Sequence, residues 1–252
     1  VNDKIKSLAR QAAMEIFGGN FDEIIIGGAP FNAEVEAFLK KIGFPYTIAY
    51  GMTECGPIIC SSRWENLKLA SCGKATTRME VKIDSPDPKT HAGEIICKGA
   101  NLMLGYYKNQ EATAQIIDVN GWLHTGDLAY QDEEGYIFIV DRLKDMIITG
   151  GENVYPREVE EALYHHPAVQ ENAVVGVPDK LRGQAVCAYL VLKEGAAATK
   201  PQLRRFLMER LASYKVPKYF FFCEQLPKNG TGKVMKTALR ENAIEDLVNR
   251  QN

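Results

Sequence analysis

Four clusters in the chain carry residue types able to do chemistry. Tyr50-Gly51-Met52-Thr53-Glu54 brings an aromatic ring, a hydroxyl and a carboxylate into one short segment. Together these suit a base, a phosphate and a metal ion. Gly27-Gly28-Ala29-Pro30 lacks bulk, so a flat ligand could approach its backbone closely. Alone, it reads as a strand-to-helix turn. Gly121-Trp122-Leu123-His124-Thr125-Gly126-Asp127, followed by Asp141-Arg142, frames a carboxylate with glycine. Such a carboxylate can accept both hydroxyls of a ribose, although a lone Thr-Gly-Asp is more often a turn with a surface Asp. Pro227-Lys228-Asn229-Gly230-Thr231-Gly232-Lys233 is a glycine loop whose last residue could set a point charge against an anion. Its spacing is not that of a Walker A loop.

These clusters need elements to position them. Residues 3–17 read as a polar helix with Ile5, Leu8, Ala12 and Ile16 near helical spacing. The β-branched run Ile24-Ile25-Ile26 predicts a buried strand over 21–26 that ends at the first glycine pair. Asn32 is expected to cap a helix over 33–42, with Gly43 as its stop. A strand at 46–50 completes a strand–helix–strand rhythm, which implies a parallel sheet. Tyr50 to Glu54 then sit at the carboxyl end of a strand, where open α/β sheets bind ligands. After residue 70, short strands near 80–83, 94–97 and 136–140 are separated by Pro and Gly and predict an antiparallel or barrel-like section.

A third pattern begins at Asp145. Pro156 opens a helix to about residue 165 with Val159, Ala162 and Leu163 buried. Strands follow at 169–177 and 184–192. Thr199 and Gln202 form a capping box for a helix to 212, with Leu203, Phe206, Leu207 and Leu211 as its apolar stripe. A strand at 219–223 and a helix from 236 close an α+β unit. The expected division is residues 1–142 and 143–252, at the charged joint Asp141-Arg142-Leu143-Lys144-Asp145.

Composition excludes several classes. The 252 residues are 46% hydrophobic and 25% charged, as in an ordinary globular protein, which rules out a disordered tail, a fibre or a rod. A net charge of −2 supplies no field to draw nucleic acid or an anionic membrane. The longest apolar run, Ala185 to Leu192, is too short for a transmembrane segment. The six cysteines show no C-x-x-C pair and read as small buried hydrophobes in a reducing, cytoplasmic setting. His165 and His166, before Pro167, read as helix C-terminal residues. The chain starts at Val1 without an initiator Met or a signal peptide, so it is expected to be a piece of a longer protein.

The order and spacing of the four clusters resemble the adenylate-forming (AMP-binding) acyl-CoA synthetase superfamily, from Gly27 to Lys233. The run from Asp141 to Pro156, with Gly150-Gly151 inside it, resembles that family's domain hinge. Together with Tyr50-Gly51-Met52-Thr53-Glu54 it looks closer to long-chain fatty-acid–CoA ligases than to peptide synthetases. The resemblance implies the end of a large α/β AMP-binding domain followed by a complete small, mobile α+β domain. It implies ATP, Mg²⁺ and CoA as ligands and a fatty acid as the acyl substrate. Gly28, Ala29 and Tyr50 match adenine contacts, Thr53 a phosphate contact and Glu54 the residue beside Mg²⁺. Asp127 matches the ribose carboxylate and Arg142 the cation beside ribose and phosphate. Lys144 matches the pivot, Gly150 and Gly151 the CoA approach, and Lys233 the lysine that bridges carboxylate and nucleotide.

One departure stands out. The family places a Gly/Ser/Thr-rich phosphate loop and most of its acyl pocket upstream of the Gly-Gly-Ala-Pro segment, and residues 1–26 hold neither. The chain is therefore expected to be the C-terminal half of a ligase, inactive alone, whose first partner is the missing N-terminal half. Its exposed sheet edges offer a route to homo-oligomers. The alternatives are an aryl-CoA ligase, an amino-acid adenylation enzyme, and a non-catalytic nucleotide-binding module.

Overall fold

The computed structural model describes residues 3–230 and 232–249. The chain divides into two compact units, Val1–Ile139 and Val140–Asn252. Each is taken by itself.

The first unit opens with α1 (Asp3–Ile16), β1 (Ile24–Ile26), α2 (Ala33–Ile42) and β2 (Tyr46–Ile48). Asn32 accepts the backbone N–H groups of Glu34 and Val35, and Gly43 ends α2 at φ 68°. A left-handed residue there is cheap only for glycine. β1 and β2 pair in parallel with Ile26 opposite Ile48, as the strand–helix–strand rhythm requires. The expectation of a buried β1 fails: Ile25 is 56% exposed. Successive strand side chains face opposite ways, and only Ile24 and Ile26 reach the small core around Ile42, Phe44, Tyr46 and Leu67.

The chain continues through β3 (Tyr50–Gly51), β4 (Ile58–Ser61) and β5 (Lys74–Ala75), a three-stranded sheet. Next come β6 (Met79–Asp84), β7 (Gly93–Gly99), α3 (Gln110–Ile116), β8 (Leu123–Gln131) and β9 (Ile137–Arg142), the last of which runs across the division between the units. Strands β6 to β9 form a four-stranded sheet in sequence order. The sheet is open, which corrects the barrel-like reading: β6 and β9 are its two edges and do not pair. β8 lies where sequence patterning showed a motif but no strand. Its core contains Cys55, Ile59, Cys60, Cys72, Ile95, Cys97, Leu123 and Ile137, so four cysteines serve as small apolar filler.

The second unit contains β10 (Ile147–Thr149), β11 (Glu152–Val154), α4 (Pro156–Tyr164), β12 (Val169–Asp179), β13 (Gly183–Leu192), α5 (Lys200–Met208), β14 (Tyr219–Phe222) and α6 (Lys236–Asn249). The sheet order is β11-β10-β13-β12, with β14 pairing in parallel on β13. Alternation along β13 explains its unbroken apolar run. Val186, Ala188 and Leu190 join α4 and α5 through Val159, Leu163, Leu203 and Leu207. Ala185, Cys187, Tyr189 and Val191 join α6 through Leu239 and Ala243. A strand buried on both faces reads as continuous hydrophobicity. The Thr199–Gln202 capping box forms. α5 ends at Met208 rather than 212, and Leu211 still reaches the core beyond it.

Candidate active site

The first cluster of functional residues lies after β1, along β3 and its following turn, and at the middle of β8. The Ala49 N–H donates to the Ile26 carbonyl at 2.8 Å, which sets the Gly27–Gly28 turn beside the chain entering Tyr50. A Cβ on Gly27 would lie 2.9 Å from the Ala49 carbonyl oxygen, so the close approach of these two segments needs glycine. Gly28 and Ala29 follow as an exposed turn. Tyr50 is buried, and its hydroxyl donates to Asp127 Oδ2 at 2.7 Å across 77 residues of sequence.

Burial first, and the Asp127 carboxylate second, push the Tyr50 phenol well above the usual tyrosine range; a hydrogen bond with Thr125 opposes them. The unfolded chain loses this proton near pH 10, whereas the native state keeps it. Below about pH 10 both states are protonated and the contribution to stability is fully present. As pH rises above that value the unfolded state binds fewer protons, so stability falls. Tyr50→Phe is therefore expected to shrink the decline in unfolding midpoint between about pH 10 and 12. Denaturant titrations of both forms at several pH values would show it, and parallel declines would refute the assignment.

Thr53 and Glu54 form a 3-10 turn after β3, closed by Gly56 in the left-handed region. Three contacts fix that turn. Met103 N–H donates to the Glu54 carbonyl at 2.8 Å, and Asn101 Nδ2 to the Cys55 carbonyl at 2.6 Å. The Tyr106 hydroxyl donates to Glu54 Oε1 at 2.8 Å, which raises the Tyr106 phenol above its ordinary value. Among the described residues no group of three or more His, Cys, Asp or Glu could hold a metal alone. A single half-buried carboxylate still fits Mg²⁺, which is commonly held by one or two carboxylates, substrate phosphates and water.

The remaining candidates belong to the second unit. Asp141 is buried and accepts the N–H groups of Arg142 at 2.7 Å and Arg157 at 2.8 Å. It thereby ties the end of β9 to the first turn of α4. Arg142 is exposed, and Lys144 lies exposed in a 3-10 turn over Leu143–Asp145. Gly150 and Gly151 are the turn of the β10–β11 hairpin, with φ of 62° and 87°. Both central positions need positive φ in such a turn, and nothing lies within 4 Å of a Cβ at either. Lys233 ends the glycine loop, where its N–H donates to Asn229 Oδ1 at 2.9 Å. Thr231 of that loop lies outside the described residues.

The family pattern for AMP-binding enzymes matches residues 3–107, and that for the AMP-binding enzyme C-terminal domain matches 158–233. The chain belongs to the AMP-binding enzymes. A long-chain-fatty-acid–CoA ligase of Bacillus subtilis (strain 168) is 43% identical over 87% of this chain and 40% of its own length. A 2-succinylbenzoate–CoA ligase of Bacillus cereus (strain ATCC 14579) is 39% identical over 98% of this chain and 52% of its own. The o-succinylbenzoate–CoA synthetase of Bacillus subtilis, solved with an acyl-adenylate, superposes at TM-score 0.80 and 37% identity, covering 91% of this chain and 49% of that one. The same enzyme solved with ATP and a magnesium ion superposes at 0.78. This chain spans about half the length of the relatives it matches.

The first unit thus joins Tyr50 to Asp127, with Glu54 in the turn that follows β3 and Gly28 and Ala29 in the turn after β1. Sequence reasoning passed over Tyr106, which contacts Glu54, and Glu94, which contacts Gly126 and His124 beside Asp127. Tyr106 carried no local signal, and Glu94 read as one more polar residue in a strand. No described helix is long and apolar enough to cross a membrane.

Proposed function

We propose that the full-length protein is an ATP-dependent, AMP-forming acid–CoA ligase acting on a fatty acid. The observation that carries this reading is the 2.7 Å contact between Tyr50 and Asp127. It sets an aromatic face and a carboxylate side by side, as a nucleoside needs, with Glu54 one turn further on. In the first half-reaction a carboxylate oxygen of the acid bonds to the α-phosphorus of ATP. The bond from that phosphorus to the bridging oxygen breaks, and pyrophosphate leaves with the electron pair. In the second, the CoA sulfur bonds to the acyl carbon, AMP departs, and the thiol proton passes to solvent.

The acid and the α-phosphate are both anionic, so their approach needs positive charge aimed at the transition state. Lys233 is assigned that task, with Arg142 beside ribose and phosphate and Thr53 on a phosphate. Mg²⁺ at Glu54 would draw charge from the phosphate oxygens. The unit 143–252 is proposed to turn about Lys144, withdrawing Lys233 and presenting Gly150 and Gly151 to the pantetheine arm of CoA. Glycine leaves that approach unobstructed, and a few joint residues suffice to absorb the backbone change.

A second reading, an aryl acid in place of the fatty acid, is favoured by the 2-succinylbenzoate–CoA ligase relative that covers 98% of this chain. Assay of the full-length protein for ATP–pyrophosphate exchange and CoA thioester formation across C4–C18 fatty acids and benzoates separates the two. Activity with the fatty acids is expected. Activity confined to benzoates would favour the second reading, and none with any carboxylic acid would refute both.

A further inference from the structure

We infer that Glu94 is a positioning residue that holds a β-bulge and thereby aims Asp127 at Tyr50. The inference rests on the proposed ribose-binding role of Asp127. In the β7–β8 ladder Glu94 faces Leu128 and Ile96 faces His124, so Ile95 alone stands opposite the whole segment Thr125-Gly126-Asp127. The extra residues are pushed out of the ladder, and Gly126 takes φ 73°. Such bulges re-aim a side chain and leave backbone groups without their ladder partners. Those groups must be satisfied elsewhere.

Glu94 does much of that. Its Oε1 accepts the Gly126 N–H at 2.8 Å, and its Oε2 contacts His124 Nδ1 at 2.8 Å. One carboxylate therefore clamps both sides of Thr125. Thr125 Oγ1 in turn donates to the Ile95 carbonyl at 2.8 Å and accepts the Asp127 N–H at 3.2 Å. Glu94 is largely buried, with a side chain 16% exposed, so water is a poor substitute for it. The charge-assisted bond to Gly126 is among the stronger kinds. Removing the carboxylate frees the Gly126 peptide to turn. Asp127, the next residue, then loses its fixed direction toward the Tyr50 hydroxyl.

The test uses the full-length protein and the variants Glu94→Ala, Glu94→Gln and Asp127→Ala. AMP dissociation constants are measured by calorimetry, and Gly126 amide exchange by NMR. Glu94→Ala is expected to weaken AMP about tenfold or more, as loss of a charged hydrogen bond implies. It should speed Gly126 exchange and leave the KM for the carboxylic acid within about twofold. Glu94→Gln keeps an acceptor for Gly126 and should restore most of the affinity, which a purely electrostatic or folding role would not predict. Unchanged AMP affinity in Glu94→Ala, when Asp127→Ala loses it, would overturn the positioning role. Unchanged affinity in Asp127→Ala would instead refute the ribose reading. In that case Gly126 exchange decides the clamp alone, and an unaltered rate in Glu94→Ala would overturn it.

Discussion

Lys233→Ala in the full-length protein is expected to cut ATP–pyrophosphate exchange by about 10²–10³-fold. Thioester formation from a supplied acyl-adenylate should change by less than about threefold. The asymmetry follows from when the positive charge is needed. Two anions must meet in the adenylation step, whereas thioester formation starts from a mixed anhydride and releases AMP. The loop around Lys233 is shaped to hold it at its end. Asn229 accepts the Lys233 N–H at 2.9 Å, and the Asn229 N–H donates back to the Lys233 carbonyl at 2.9 Å. The neighbouring lysines are engaged within their own unit, Lys228 with Glu171 and Lys236 with Glu160, both at 2.7 Å. Lys233→Ala keeps both bonds between Asn229 and the backbone of residue 233, so the loop is expected to hold its shape and the thermal midpoint to move little. Exchange within threefold of wild type would remove Lys233 from the adenylation step. Equal loss in both half-reactions with an unchanged midpoint would refute the division of labour.

Local features were legible because they depend on residues close in sequence. Asn32 and Gly43 bracket α2 because a side-chain acceptor and a left-handed residue are needed within a few positions of the helix ends. The Thr199–Gln202 box formed for the same reason. Four clusters in a fixed order were enough to indicate the family. What could not be read depends on pairing across distance. The strand β8 was hidden because the Thr125–Asp127 bulge breaks the period-2 alternation that marks a strand. Short strands separated by Pro and Gly suit an antiparallel sheet and a barrel-like one equally, and openness is set by which strands fail to pair. Glu94 and Tyr106 became visible only when β7 and the 104–107 loop were folded against the motifs they hold.

The largest effect on stability is expected from Gly51→Ala. A Cβ at Gly51 would lie 1.8 Å from the Pro57 carbonyl oxygen, 2.8 Å from its carbonyl carbon and 2.9 Å from the Ile58 Cα. All three are backbone atoms, so no side-chain rotamer can relieve the overlap. The same Pro57 oxygen accepts the Met52 N–H at 2.8 Å, the bond that starts the turn carrying Thr53 and Glu54. The ladder is already irregular there, with Tyr50 opposite Cys60 and Gly51 opposite Ile58. Moving Pro57 outward must therefore break that bond, shift β4 and disturb the core below it. A cost of about 3 kcal/mol or more is expected, at the upper end of overpacking changes. Gly126→Ala supplies the contrast: nothing lies within 4 Å of its Cβ, so only the left-handed φ of 73° opposes it, about 1–2 kcal/mol. Denaturant unfolding of the two variants should rank Gly51→Ala as the more damaging, with nucleotide affinity falling alongside. A Gly51→Ala loss below that of Gly126→Ala would mean that β3 and β4 part without penalty, and that Asn101, Met103 and Tyr106 hold the turn bearing Glu54 without the Pro57 bond.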